Sequence, residues 1–247
     1  MSKIIAVILF ALPFALLAEK TPKPVAANPV RKGSVISGAK LGGYICKPGS
    51  QKGLALVVNA QSKVESTLTF VAGRLERDSG LKFSVKTVDP KSLDGNWTAL
   101  REKEKAAALV VVVDEPTGYP LVVVPDERWA VVNVAKLDRG LTRPESIIAL
   151  IPKRTRRQVI RAFALISGSG KKHVESPASV NSMMDLDAAR DAVPMDTIQV
   201  MSDFLHVHGM TKQVISSYRT ACRQGWAPAP TNDIQKAIWN EVHTIPD

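Results

Sequence analysis

The sequence predicts an α/β (α+β) domain, with a mixed, mostly parallel sheet, flanking helices and a helical C-terminal part. Three observations carry that reading. Short, fully apolar, β-branched runs recur between residues 54 and 134, as expected of strands covered on both faces. Amphipathic or charged segments with helical spacing separate several of them. Beyond residue 144 the strand signals stop, and helical stretches punctuated by Gly and Pro follow.

Leu54 to Val58 reads as a buried strand. Ser62 to Arg77 places Val64, Leu68, Val71 and Leu75 on one helical face and stops at Ser79-Gly80. Lys82 to Val88 alternates, with Phe83, Val85 and Thr87 on one side, so it reads as a half-buried strand. A short charged helix is expected near Ala99 to Lys105, and Leu109 to Val113 should be the central strand. Pro116-Thr117-Gly118 turns the chain into Leu121 to Val124, and Arg128 to Val134 follows so closely that an antiparallel pair is expected. Pro144 to Leu150 and Arg154 to Ser167 read as one interrupted helix or two helices, broken at Pro152. Helices are then expected at Met195 to His208, Thr211 to Arg223 and Thr231 to His243, the last with Thr231 as N-cap and Asp233 in its first turn.

The N-terminus is organised differently. Lys3, an apolar run from Ile4 to Leu17 and the small Ala18 read as a secretory signal peptide over 1–18, too short to span a bilayer. An uncleaved anchor is the alternative, because Leu16 fits an A-x-A site poorly. Residues 19–53 are rich in Pro, Gly and Lys and read as a flexible arm, leaving 54–247 as a single domain. The expected location is therefore periplasmic or extracellular.

Formal net charge is +10, which draws the chain to anionic glycans, phosphates or other envelope components. Aromatic residues are only 5% and do not interleave with basic ones, which argues against nucleic acid as partner. Cys46 and Cys222, in an oxidising compartment, suggest one disulfide, with two unpaired thiols as the other reading. Neither belongs to a C-x-x-C or Cys/His pair, so no zinc-knuckle or redox motif is present.

Catalytic motifs are scarce. His206 and His208 form H-x-H, whose rings diverge by about 200° on a helix and cannot chelate one ion together. Ser167-Gly168-Ser169-Gly170 follows a helix, where a nucleophile elbow or a P-loop would follow a strand, and reads as a helix cap. Asp114-Glu115 and Asp126-Glu127 stand at strand ends, a common place for reactive carboxylates and also an ordinary place for turn residues. Arg154, Arg157 and Arg161 fall at i, i+3 and i+7 and make one basic helical stripe. Guanidiniums so arranged suit phosphate, sulfate or carboxylate, and equally suit a solvated face or ion pairs with neighbouring elements. The aromatic and proline-rich corner from Tyr218 to Asp233 reads as a packed brace.

The helix after the last strand contains Arg161-Ala162-Phe163-Ala164-Leu165-Ile166-Ser167-Gly168-Ser169-Gly170-Lys171. Its position and its Gly168 resemble the metzincins, in particular the archaemetzincin-like proteins, whose helix carries H-E-x-x-H-x-x-G-x-x-H. By that resemblance Arg161, Leu165 and Lys171 stand at the three zinc ligands and Ala162 at the general base, while Asn181-Ser182-Met183-Met184 corresponds to the family's Cys- and Met-containing segment. The resemblance implies a metzincin-like scaffold that has lost its zinc-binding motif. Zinc hydrolysis needs lone-pair donors and a base, and none of these four residues supplies them at neutral pH. The expected function is an exported, non-catalytic protein that binds an anionic ligand or envelope component and needs no cofactor. The alternative is an exported metal-dependent peptidase whose site is assembled from dispersed residues such as His206, His243, Asp114 and Glu127.

Overall fold

The computed structural model describes residues 41–61, 63–168, 171–176, 180–190 and 192–244. The signal segment Met1 to Ala18 and the arm up to residue 40 lie outside the described residues. In chain order the elements are β1 (Tyr44–Cys46), β2 (Ala55–Asn59), α1 (Glu65–Ser79), β3 (Phe83–Thr87), α2 (Trp97–Lys103), β4 (Ala108–Val113), β5 (Leu121–Val124) and β6 (Trp129–Asn133). They continue with α3 (Pro144–Gly168), β7 (His173–Val174), α4 (Val180–Ala188), α5 (Met195–Val207), β8 (Ile215–Ser217), α6 (Tyr218–Arg223) and α7 (Asp233–Thr244).

Six strands form one mixed sheet in the order β3-β2-β4-β6-β5-β7. The β2–β3, β2–β4 and β4–β6 pairs are parallel, and β5 runs antiparallel to β6 and β7. Every residue of β2 and β4 is buried because helices cover both faces, which explains their unbroken apolar sequences. Ala55, Val57, Val110 and Val112 point to the side that holds Leu68, Val71 and Leu75 of α1 together with Val159, Ala162 and Phe163 of α3. Leu56, Val58, Leu109 and Val111 point the other way, onto Trp97 and Leu100 of α2 and onto Trp129. Phe83 meets Phe163 edge to face at 5.2 Å between ring centroids, tying the far end of the sheet to α3. Gly80 ends α1 in the left-handed region at φ 72°, and its amide donates to Glu76 O at 2.8 Å.

Four expectations are corrected. First, α3 runs unbroken from Pro144 to Gly168 with Pro152 inside it. Proline there removes the bond to the Ile148 carbonyl, but Ile148 is 76% exposed, where solvent can take that carbonyl. Second, Thr211 to Arg223 is not one helix. Ile215–Ser217 is a strand paired antiparallel with β1, and only Tyr218–Arg223 is helical. The Lys47 amide donates to Val214 O at 2.8 Å and the Lys52 amide to Thr211 Oγ1 at 2.8 Å, so a strand partner distant in sequence overrides the local helical spacing. Ser217 then caps α6, its Oγ accepting from the Thr220 amide at 3.2 Å.

The same pairing corrects the third expectation, since residues 41–53, assigned to the flexible arm of 19–53, contain β1 and bridge to Thr211. Fourth, Asn232 rather than Thr231 caps α7, its Oδ1 accepting from the Gln235 amide at 2.9 Å, while the Thr231 amide donates to Gln235 Oε1.

Cys46 and Cys222 are both free, so no disulfide joins them. Strand parity explains it. Ile45 faces the small core of Tyr218, Cys222 and Ile238, so its neighbour Cys46 turns outward while Cys222 stays buried. Burial pushes the Cys222 thiol up from its ordinary range. The corner read as a brace is one, with the Tyr218 hydroxyl donating to Pro228 O at 2.9 Å. Among the described residues no helix is long and apolar enough to cross a membrane.

Candidate functional site

The predicted arginine stripe is turned inward. Arg154 is buried and donates through Nη1 to Leu137 O at 2.6 Å and Arg139 O at 2.8 Å, and through Nε to Asp187 Oδ1 at 2.8 Å. Its hydrogen bonds, then its charge, hold the Asp187 carboxyl below the usual carboxylate range. Arg157 is also buried and donates to Leu186 O and Asp187 O, both at 2.7 Å, gripping the C-terminal end of α4. Arg161 pairs with Glu175, a buried carboxylate that also accepts from Gln158 Nε2 at 2.8 Å. Of the readings open for Arg154, Arg157 and Arg161, anion binding, a solvated face or ion pairs with neighbouring elements, the structure shows ion pairs for Arg154 and Arg161 and carbonyl contacts for Arg157. Their partners Asp187 and Glu175 lie well downstream, where helical spacing gives no view of them.

The positions aligned to a zinc site hold no convergent donors. Ala162 sits in the core, Leu165 packs partly against it, and Lys171 is exposed beyond the end of α3. Gly168 does end α3, as the resemblance implies. Asn181 to Met184 lie within α4, with Met183 buried.

The residues of the alternative site do not meet. His206 Nδ1 contacts Met210 O at 2.9 Å on α5, and His243 stacks on Trp239 within α7. Asp114 follows β4 and pairs with Lys63 at 2.6 Å. Glu127 stands in the β5–β6 turn, where hydrogen bonds from Thr98, then Trp129, lower its carboxyl. His208 accepts from Arg128 Nη1 at 2.8 Å, and burial, then the charge of Arg128, keeps the imidazole below its ordinary range. Among the described residues no three His, Cys, Asp or Glu side chains are grouped to hold a metal ion.

A concave site does form at the C-terminal ends of the parallel strands. Loops leaving the adjacent strands β2 and β4 diverge there, one turning into α1 and the other running on towards β5. Such a divergence opens a crevice in α/β sheets, and ligands collect in it. The cleft here measures about 510 Å³ and is lined by Gln61 and Glu65 after β2, Thr87 at the end of β3 with Val88 after it, and Asp114 and Glu115 after β4. Trp97 and Leu93 make its apolar wall.

Buried amides hold these loops. Asn59, the last residue of β2, accepts from Gln61 Nε2 at 2.7 Å and donates to Thr87 Oγ1 at 3.4 Å. Thr87 Oγ1 in turn donates to Glu65 Oε1 at 3.3 Å. Asn133, the last residue of β6, uses its whole amide: Oδ1 accepts from the Glu115 and Ala135 amides, and Nδ2 donates to Glu115 O and Thr117 O, all within 3.2 Å. Three carboxylates, Glu65, Asp114 and Glu115, thus line one cleft, with Lys63 pairing only Asp114. Sequence reading singled out Asp114 and Glu115 and missed Gln61, Glu65 and Trp97. The signal available for Gln61 and Glu65 was their place soon after β2, a strand buried on both faces, whereas Trp97 opens α2 and carried no such signal.

No protein-family model and no curated protein matches the sequence. Among solved structures, a zinc-dependent peptidase from Methanocorpusculum labreanum (strain Z) is similar over 60% of this chain and 100% of that one, at 14% identity and a TM-score of 0.39. The metzincin resemblance accordingly rests on the quoted residues and the order of elements.

Proposed function

We propose that this chain is an exported, non-catalytic ligand-binding protein whose site is the cleft at the C-terminal ends of β2, β3 and β4, and that its ligand is a small organic cation with an apolar body. One observation supports the ligand class above others: Glu65, Asp114 and Glu115 line a cleft that Trp97 and Leu93 wall, a local cluster of negative charge. A concave, partly apolar site concentrates the field of its carboxylates, and an indole face attracts ammonium and guanidinium groups. The Lys63–Asp114 pair leaves Glu65 and Glu115 as the principal counter-charges. The basic surface supports residence beside anionic envelope glycans or phosphates, and the Lys3 to Ala18 segment supports export.

Calorimetric titration of the purified protein with benzyltrimethylammonium and with its neutral carbon isostere tests the reading. Saturable, salt-sensitive binding of the cation is expected, with Glu115→Gln weakening it about tenfold at unchanged melting temperature, and Trp97→Ala weakening it while also lowering the melting temperature, since Trp97 packs on Leu56 and Leu109. Equal binding of the isostere removes the proposed ligand class. Stoichiometric zinc with chelator-sensitive peptide cleavage would replace this reading with the hydrolase.

A further inference from the structure

The strand-end cleft has an apolar neighbour. A hollow of about 410 Å³ is walled by Val64, Val134, Ile147, Ile148 and Ile151, with Lys63 and Asp138 as the ionisable residues of its lining. Ile148 is 76% exposed there, a large apolar side chain that the described residues leave uncovered. The two hollows meet at one ion pair. Lys63 lines the apolar groove, Asp114 lines the cleft, and Lys63 Nζ lies 2.6 Å from Asp114 Oδ2. Asn133 ties the two rims together, since its Oδ1 accepts from the amide of Glu115, which lines the cleft, and from the amide of Ala135, which lines the groove.

Lys63 itself displays the chemistry that this junction accepts. Its side chain is an alkyl stem that leaves the apolar groove and ends in an ammonium on a carboxylate of the cleft. The lysine side chain is 61% exposed, and so open an ion pair is weak, so that a better-held cation can take Asp114 from it. Resting on the cation reading above, we infer that the ligand is a single-chain cationic amphiphile. Its head group sits among Glu65, Asp114 and Glu115, and its alkyl chain crosses at Lys63, displaces the ammonium and lies along Ile147, Ile148 and Ile151. Each methylene buried in the groove adds to the affinity, whereas a ligand confined to the cleft gains nothing from a longer chain.

The test titrates the purified protein calorimetrically, below micelle-forming concentrations, with benzyltrimethylammonium, with hexyl-, octyl- and decyltrimethylammonium, and with 1-decanol. One cation per chain is expected, its affinity rising about twofold with each methylene beyond hexyl, because an open groove buries each only in part. 1-Decanol should bind at least about tenfold more weakly than decyltrimethylammonium, since the head group anchors the chain. Ile148→Ser should cut the ratio of decyl to hexyl affinity about fourfold at unchanged melting temperature, and Lys63→Met should strengthen decyl binding about threefold. If benzyltrimethylammonium binds and chain length makes no difference, the cleft reading stands and this inference is overturned; a groove filled by residues 19–40 would give that result. Failure of every cation to bind overturns both. Equal binding of 1-decanol, a decyl-to-hexyl ratio untouched by Ile148→Ser, or weaker decyl binding in Lys63→Met also overturns the inference.

Discussion

The strand-end cleft and the contact between α3 and α4 are built by different means. The cleft is held by neutral amides, Asn59 and Asn133, bonded to backbone, hydroxyl and amide groups. The helix contact is held by guanidiniums, Arg154 and Arg157, bonded to a carboxylate and to backbone carbonyls. Amide clamps carry no net charge and ignore pH, whereas an arginine brace costs desolvation and depends on its counter-charge. The lesson is that one domain holds one region with an uncharged scaffold beside another whose brace answers to acid.

The largest effect is expected from Arg154→Met. It removes bonds to Asp187, Leu137 and Arg139 and leaves the Asp187 carboxylate without its main partner, so unfolding free energy in urea should fall by about 4 kcal/mol. Binding of an organic cation at the strand ends should stay unchanged in that variant. If it falls in parallel, the cleft and the helix contact are not independently held and the comparison breaks.

Asn133→Ala should cost less, about 2 kcal/mol, because the backbone groups it releases after β4 and β6 can reach water. Here the cation affinity should drop and hydrogen exchange at the Glu115 amide should quicken. An exchange rate equal to that of the parent would show that Asn133 does not pin the loop.

The smallest effect is confined to acid. Folding lowers the Asp187 carboxyl below its unfolded value, so the unfolded chain takes up the proton first as pH falls. The stability this gives is complete above about pH 4 and is lost as pH drops through the folded value. Asp187→Asn should therefore flatten the acid limb of a stability profile, and Asn59→Ala should leave its shape alone. An unchanged acid limb in Asp187→Asn would show that the brace does not titrate.

How much could be read beforehand follows from where the determining contacts lie. Strands β2 and β4 were legible because a strand covered on both faces must be apolar throughout, and β3 because its residues alternate, signals contained in the strands themselves. Strand β8 was not, because its partner β1 lies at the other end of the chain and Tyr44–Cys46 alone carries no pattern. The arginines were correctly grouped on one helix, yet their role depended on Asp187 and Glu175, which helical spacing cannot bring into view. The cleft at the strand ends was half visible through Asp114 and Glu115, and its other wall came from the loop before α2.

The ribbon of β1 and β8 has a consequence for synthesis. A ribosome delivers Tyr44 early and Ser217 late, and the two are register partners. Closing so long a loop comes at the end of assembly, after the nearby parallel pairings have settled. Until then β1 is an unmatched edge, and its outward Cys46 and Tyr44 stand bare to whatever meets the nascent chain. Under the proposed export, a seam that cannot close early would keep the chain in a state that can still be pulled through a membrane pore.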